Sequence, residues 1–145
     1  MSGVGSGADR RTRNVATLER YFDRLAALDI GSWIELWAPD CVQVMPFAAG
    51  PVPDRVEGRD QVRELYQGMA DGYAELSFAD LEILPLEDPD KVVARWRPQG
   101  RMTDGRPYEN ENVALFEFDG DGRIVRFTEY FNPVVVAASF AAGGV

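Results

Sequence analysis

The C-terminal third of the chain alternates between apolar and polar positions, and the alternation sets one carboxylate among aromatic rings. Read with a period of two, residues 124–132 carry Val125, Phe127, Glu129 and Phe131 on one face. Arg126, Thr128 and Tyr130 occupy the other. A carboxylate on an apolar face must be paired, hydrogen-bonded or pushed toward a raised pKa, and a raised pKa suits a general acid or base. The competing reading is structural: the strand is a sheet edge, or an arginine neutralises Glu129.

The same patterning predicts the other elements. Val15, Leu18, Phe22 and Leu25 recur at helical spacing with Tyr21 beside them, so a helix is expected over 14–28. Asp29 and Gly31 end it, and Ser32 is expected to cap a short second helix over 33–38. Ala38-Pro39-Asp40 reads as a turn into a short strand at 41–45. Residues 46–58 hold three prolines and two glycines, and are expected to form a loop rimming a pocket. A third helix over 59–73 presents Val62, Leu65, Tyr66 and Met69 on one face. Strands follow at 76–86, 91–102, 108–118 and 124–132, the last two joined by Asp119-Gly120-Asp121-Gly122, and 134–140 forms a closing helix. Helices followed by a strand meander describe an α+β domain whose sheet curls over the helices. It is expected to span 14–145, after a disordered lead-in over 1–13 that has no apolar signal-peptide stretch.

Composition then narrows the chemistry. A formal net charge of −9 supplies no basic stripe for nucleic acid and disfavours an anionic membrane surface. The chain has no histidine and a single cysteine, Cys41. That excludes an internal disulfide, a zinc site of ordinary ligands, and Ser-His or Cys-His catalysis. Acid–base work falls to Asp, Glu, Tyr or Lys. No apolar run is long enough to span a bilayer, and the cytoplasm is the expected location. Neither metal nor cofactor is expected.

Glu129 needs partners on neighbouring strands. Along 108–118, Tyr108, Asn110, Asn112, Ala114, Phe116 and Phe118 form the better inward set, opposite Glu109, Glu111, Val113, Leu115 and Glu117. Asn110 and Asn112 could bind a carbonyl or orient a water, or simply satisfy backbone groups. On 91–102, either Trp96 points inward and Arg95 and Arg97 are solvated, or the arginines line the pocket and lower the pKa of Glu129. Trp33, Trp37, Tyr66 and Tyr73 are expected in the core or pocket wall, and Cys41 in the core.

The sequence from Tyr108 to Phe118, the Asp-Gly turn, Gly122-Arg123-Ile124-Val125 and Thr128-Glu129-Tyr130-Phe131-Asn132-Pro133 resembles the SnoaL-like branch of the NTF2-like superfamily. Within that branch it is most similar to phenazine-biosynthesis A/B-type proteins, and the helical N-terminal pattern extends the resemblance over nearly the whole chain. The resemblance implies a cone of helices wrapped by a curved, mainly antiparallel sheet (a cystatin-like fold) around one apolar pocket, usually in a homodimer. It also implies that Glu129 takes the place of the acid–base group in the last strand. In limonene-epoxide-hydrolase-like members a strand arginine falls on Arg95, which implies that Arg95 faces inward. Their second aspartate falls on Arg97, and their water-holding Tyr and Asn fall near Val42 and Val44. The oxyanion-hole tyrosine of ketosteroid isomerase falls on Tyr21, but its aspartates fall on Ala114 and near Met45.

The resulting expectation is a cofactor-free cyclase, isomerase or condensation catalyst of secondary metabolism acting on a hydrophobic small molecule. Glu129 would shuttle the proton, with Tyr21, Asn112 and Arg95 polarising or orienting the substrate. Phe116, Phe127, Phe131, Asn110, Trp37, Tyr66, Met69 and Met45 would line the pocket. The alternatives are a non-catalytic binding protein or accessory to a biosynthetic enzyme, and an epoxide-hydrolase-like enzyme.

Overall fold

Ser6 begins the first helix. Its side chain accepts a hydrogen bond from the Asp9 N–H at 3.1 Å, an N-terminal cap that starts α1 (Gly7–Ala26) seven residues before the expected Asn14. The lead-in expected over 1–13 is therefore helical from Gly7 onward. The computed structural model describes residues 6–142. Asn14 and Thr17 join Leu18, Tyr21 and Phe22 in the buried stripe of α1, while Val15 is only half-buried. Asn14 tolerates burial because its Nδ2 donates to the Pro89 carbonyl at 3.0 Å.

The second helix starts earlier than expected and is capped by another residue. Asp29, rather than Ser32, accepts from the Ser32 N–H at 3.3 Å, and α2 runs over Ile30–Trp33 before a 3-10 turn, Ile34–Leu36. The expected turn at 38–40 lies inside a strand, β1 (Trp37–Val44). Pro39 falls where the β1–β7 pairing is irregular, between Trp37 and Val42, the kind of strand position that tolerates proline. The loop that follows is shortened by a small strand, β2 (Arg55–Glu57), before α3 (Arg59–Asp71). Strands β3 (Tyr73–Pro85) and β4 (Lys91–Met102) come next.

The strand expected over 108–118 is two strands, β5 (Pro107–Glu109) and β6 (Asn112–Phe118), both paired with β4. Asn110 breaks it. Its Oδ1 accepts from the Asn132 N–H at 3.0 Å, its Nδ2 reaches the Asn132 carbonyl at 3.2 Å, and its own N–H bonds Pro98. Strand β7 (Ile124–Tyr130) and helix α4 (Pro133–Ala142) complete the fold.

The sheet runs in the order β2-β1-β7-β6-β4-β3, with β5 beside β4; only the β1–β7 pair is parallel. Its curled concave face packs against the helices, giving the α+β half-barrel expected from the pattern. In β7 the pairing slips between Glu117 and Phe118, so Val125 is an extra residue and Ile124, not Val125, is buried. Beyond that bulge the predicted parity holds, with Phe127 and Glu129 inward and Tyr130 outward.

Candidate active site

A cavity of about 400 Å³ opens between the helices and the concave face of the sheet. That is the size range of small-molecule sites. Helix α1 contributes Tyr21 and Leu25, and Leu28 follows from the turn beyond it; α3 contributes Leu65, Tyr66 and Met69. The sheet supplies Gln43, Met45, Phe78, Trp96, Asn112 and Glu129, while Pro51, Val52 and Pro53 come from the loop and Val136 from α4. Tyr73, Tyr108 and Phe131 also line it. No lysine or arginine is in this wall among the described residues, and besides Glu129 the only charged member is the exposed Glu64.

Glu129 is 9% exposed, and it faces Ala114 across the β6–β7 pair, where a small side chain leaves the carboxylate room. Asn112 Nδ2 donates to Oε2 at 3.1 Å, and Gln43 Nε2 makes a longer contact to Oε1 at 3.5 Å. Burial pushes the carboxyl up to about 7, against the pull of the Asn112 hydrogen bond toward the ionised form. A carboxyl poised there can both take and return a proton near neutral pH.

The phenols form a second polar feature. Tyr66 accepts from Gln43 Nε2 at 2.7 Å and shares a side-chain hydrogen bond with Tyr21. One hydroxyl hydrogen of the pair is used in that bond and the other is left for a ligand. Burial raises both phenols well above the ordinary tyrosine range, with Glu129 adding to the rise. The same causes raise Tyr73, and Tyr108 is pushed up to about 12 mainly by burial.

Several expected site residues lie elsewhere. Phe116 and Phe127 are sealed in the core, stacked with centroids 4.5 Å apart, and Trp37 is buried against Phe127. None of the three reaches the cavity wall. Asn110 is a clamp on Asn132 and Tyr108 rather than a lining group. The inward Arg95 implied by the resemblance is also overturned. Val92, Ala94, Trp96 and Pro98 take the inward parity of β4, and Arg95 pairs with Glu82 at 2.5 Å on the solvent side. Arg97 likewise faces Asp80 and Glu111 at 3.8 and 3.7 Å. Arg95→Ala should leave stability within about 1 kcal/mol of wild type, the usual span for an exposed pair. Ligand affinity should not change either. A tenfold loss in a calorimetric titration would mean that Arg95 reaches the ligand.

Gln43 escaped the sequence reading although its signal was present. Cys41 and Met45 are both inward on β1, and Gln43 shares their parity, fully buried. Among the described residues, no group of three or more His, Cys, Asp or Glu side chains is arranged to hold a metal ion. No described helix is long and apolar enough to cross a membrane.

This geometry agrees with the comparisons to known proteins. Residues 18–127 match the model of the SnoaL-like domain, so the chain belongs to that family within the NTF2-like superfamily. The uncharacterized Bacillus subtilis protein YesE is 30% identical over 125 residues, covering 86% of this chain and 84% of YesE. Among solved structures, a candidate isomerase from Bacillus subtilis is similar at a TM-score of 0.82 and 28% identity, over 91% of this chain and 95% of its own. A candidate polyketide cyclase from Xanthomonas campestris pv. campestris is similar at a TM-score of 0.75 and 24% identity, over 89% and 97%.

Proposed function

We propose that this protein is a cofactor-free acid–base catalyst of secondary metabolism that isomerises, cyclises or condenses an uncharged, largely apolar small molecule. The observation that carries the reading is Glu129: one buried carboxyl, contacted by two amides and no cation, in a wall that is otherwise apolar and phenolic apart from the exposed Glu64. In an isomerisation, the ionised carboxyl removes a proton from a carbon beside a carbonyl. The electron pair moves toward the carbonyl oxygen, where the free hydroxyl hydrogen of the Tyr21–Tyr66 pair can donate, and Glu129 returns the proton at another position. The proton is conserved, so no co-reactant is needed. A cyclisation or condensation uses the same first step, with the carbon nucleophile then attacking a second carbonyl held close by the cavity shape.

An uncharged substrate follows from the wall. An anion would meet Glu129 without any arginine or lysine to offset it. A protein that only sequesters its ligand would be favoured had Arg95 neutralised Glu129, and Arg95 is paired with Glu82 instead. The epoxide-hydrolase reading lacks its charged partners: Arg95 faces solvent, and the place of the second aspartate is taken by Arg97, which faces solvent too. The names of the candidate isomerase and cyclase among the similar structures agree with the proposed chemistry. The test is product formation and ligand binding measured side by side for wild type and Glu129→Gln, using the products of neighbouring biosynthetic genes as substrates. A variant that converts as well as wild type overturns the reading.

The working unit is proposed to be a homodimer, in the cytoplasm. On the convex face Val113 and Tyr130 are 39% and 37% exposed, Leu115 is half-buried beside them, and the exposed Phe47 packs edge-on against Tyr130. Such an apolar patch among charges is a surface suited to a second copy of the chain. Sedimentation velocity at tens of micromolar should give a dimer, and Tyr130→Glu should give a monomer. A clean wild-type monomer would remove the assembly from the proposal.

A further inference from the structure

We propose that Gln43 is a positioning residue for Glu129, holding the carboxylate in its ionised form from the cavity wall. The inference deepens the acid–base reading of Glu129 and rests on it for its purpose. Gln43 sits near the C-terminal end of β1, in parity with Cys41 and with Met45 just beyond the strand, where the fold otherwise places apolar side chains. Its residue surface is fully buried, so it acts on a ligand only through the groups it holds. Nε2 bridges two of them, the Tyr66 hydroxyl at 2.7 Å and Glu129 Oε1 at 3.5 Å.

The other half of the amide has no such role. Gln43 Oε1 is buried without a hydrogen-bond partner among the described residues. An apolar side chain of similar size would spare the fold that unsatisfied carbonyl. The amide orientation is set by the same contacts: reversed, an amide oxygen would face the carboxylate oxygen. Gln43 is therefore costly to the core and useful to the carboxylate.

Two amides hydrogen-bond Glu129, and no cation faces it among the described residues. Facing it are Tyr21 from α1, Tyr66 from α3, Tyr73 from β3 and Tyr108 from β5, all phenols held neutral by burial. Strand β4 presents Trp96 and Pro98, and β6 presents Ala114 and Asn112, none of them charged. Glu64 of α3 is exposed to solvent and its charge is screened. Asn112 serves Oε2 and Gln43 serves Oε1.

The test needs no substrate. The side-chain carboxyl of Glu129 is titrated by carbon-13 NMR in wild type, Gln43→Met and Gln43→Leu, with Glu129→Gln identifying the signal, and each variant is melted in parallel. Removing the N–H donor should raise the Glu129 midpoint by about half to one pH unit, a three- to tenfold gain in proton affinity. The melting temperature should stay level or rise, because an unpaired carbonyl leaves the core. A lowered melting temperature with an unmoved Glu129 midpoint would make Gln43 a structural residue and overturn the inference, as would failure of both variants to fold. A wild-type midpoint in the ordinary carboxylate range would instead overturn the acid–base reading. Gln43 would then still be judged by whether its variants move that midpoint.

Discussion

Glu129→Gln is expected to lower turnover by roughly two to four powers of ten while ligand affinity changes little. Glutamine keeps the shape of the side chain and can still meet Asn112, but it neither takes nor returns a proton at neutral pH. The loss should fall on kcat and kcat/KM together, because the removed interaction belongs to the transition state. The same substitution carries a stability signature. The folded carboxyl titrates near 7, above its ordinary value of 4.5. Between those pH values the folded chain binds a proton that the unfolded chain has released. Wild-type stability should therefore fall as pH rises from about 4.5 to 7 and level off above, by up to about 3 kcal/mol. Glu129→Gln removes that slope and should melt higher than wild type at pH 8. Loss of activity with gain of stability would mark a carboxyl kept in an unfavourable place for its chemistry. Thermal scans at several pH values, run beside product assays, check both. A variant destabilised at pH 8 would mean that the ionised carboxylate contributes favourable bonds outweighing its burial.

Phe127→Ala is expected to be the most damaging single truncation in the sheet, at about 3–5 kcal/mol. The ring is fully buried, stacked on Phe116 at 4.5 Å, and meets Tyr21 and Trp37 edge-on or tilted at 6.0 and 5.7 Å. Three elements lose contacts at once, and the strands of a sheet cannot close over the void. In a chain of this size the melting temperature should drop by roughly 6–20 °C. Chemical denaturation should move in midpoint without change of slope. Because Phe127 lies outside the cavity wall, ligand affinity of the folded fraction should change far less than stability. A stable variant with lost affinity would restore Phe127 as a ligand contact.

Both residues were singled out by the same alternation on β7, yet they have opposite roles. Period two assigns side chains to a face; it does not tell a face that packs from a face that borders a void. That depends on what stands opposite. Phe127 meets Phe116 and Gln43 of neighbouring strands, whereas Glu129 meets Ala114, too small to fill the space. The C-terminal end of β7 therefore opens into the cavity and the N-terminal end is packed shut.

What the chain determined by itself is local and periodic. The helical stripe from Leu18 to Leu25, the bounds of β4 at Lys91 and Met102, and the inward parity of Glu129 and Asn112 all follow from spacing. The facing of Arg95 does not, since the alternation admits either Trp96 or the arginines inward, and only the packed sheet turns Arg95 to Glu82. The tertiary structure decided the rest, because it depends on residues far apart in sequence. Asn132 draws Asn110 out of line and divides the expected strand in two, an interaction across 22 positions. Tyr21 is hydrogen-bonded to Tyr66, and Gln43 meets Glu129 across 86 positions, so the hydrogen-bonded chain beside the carboxyl joins α1, α3, β1 and β7. No pattern within one segment encodes which buried polar groups will meet, since each satisfies its own strand or helix equally well before the elements pack.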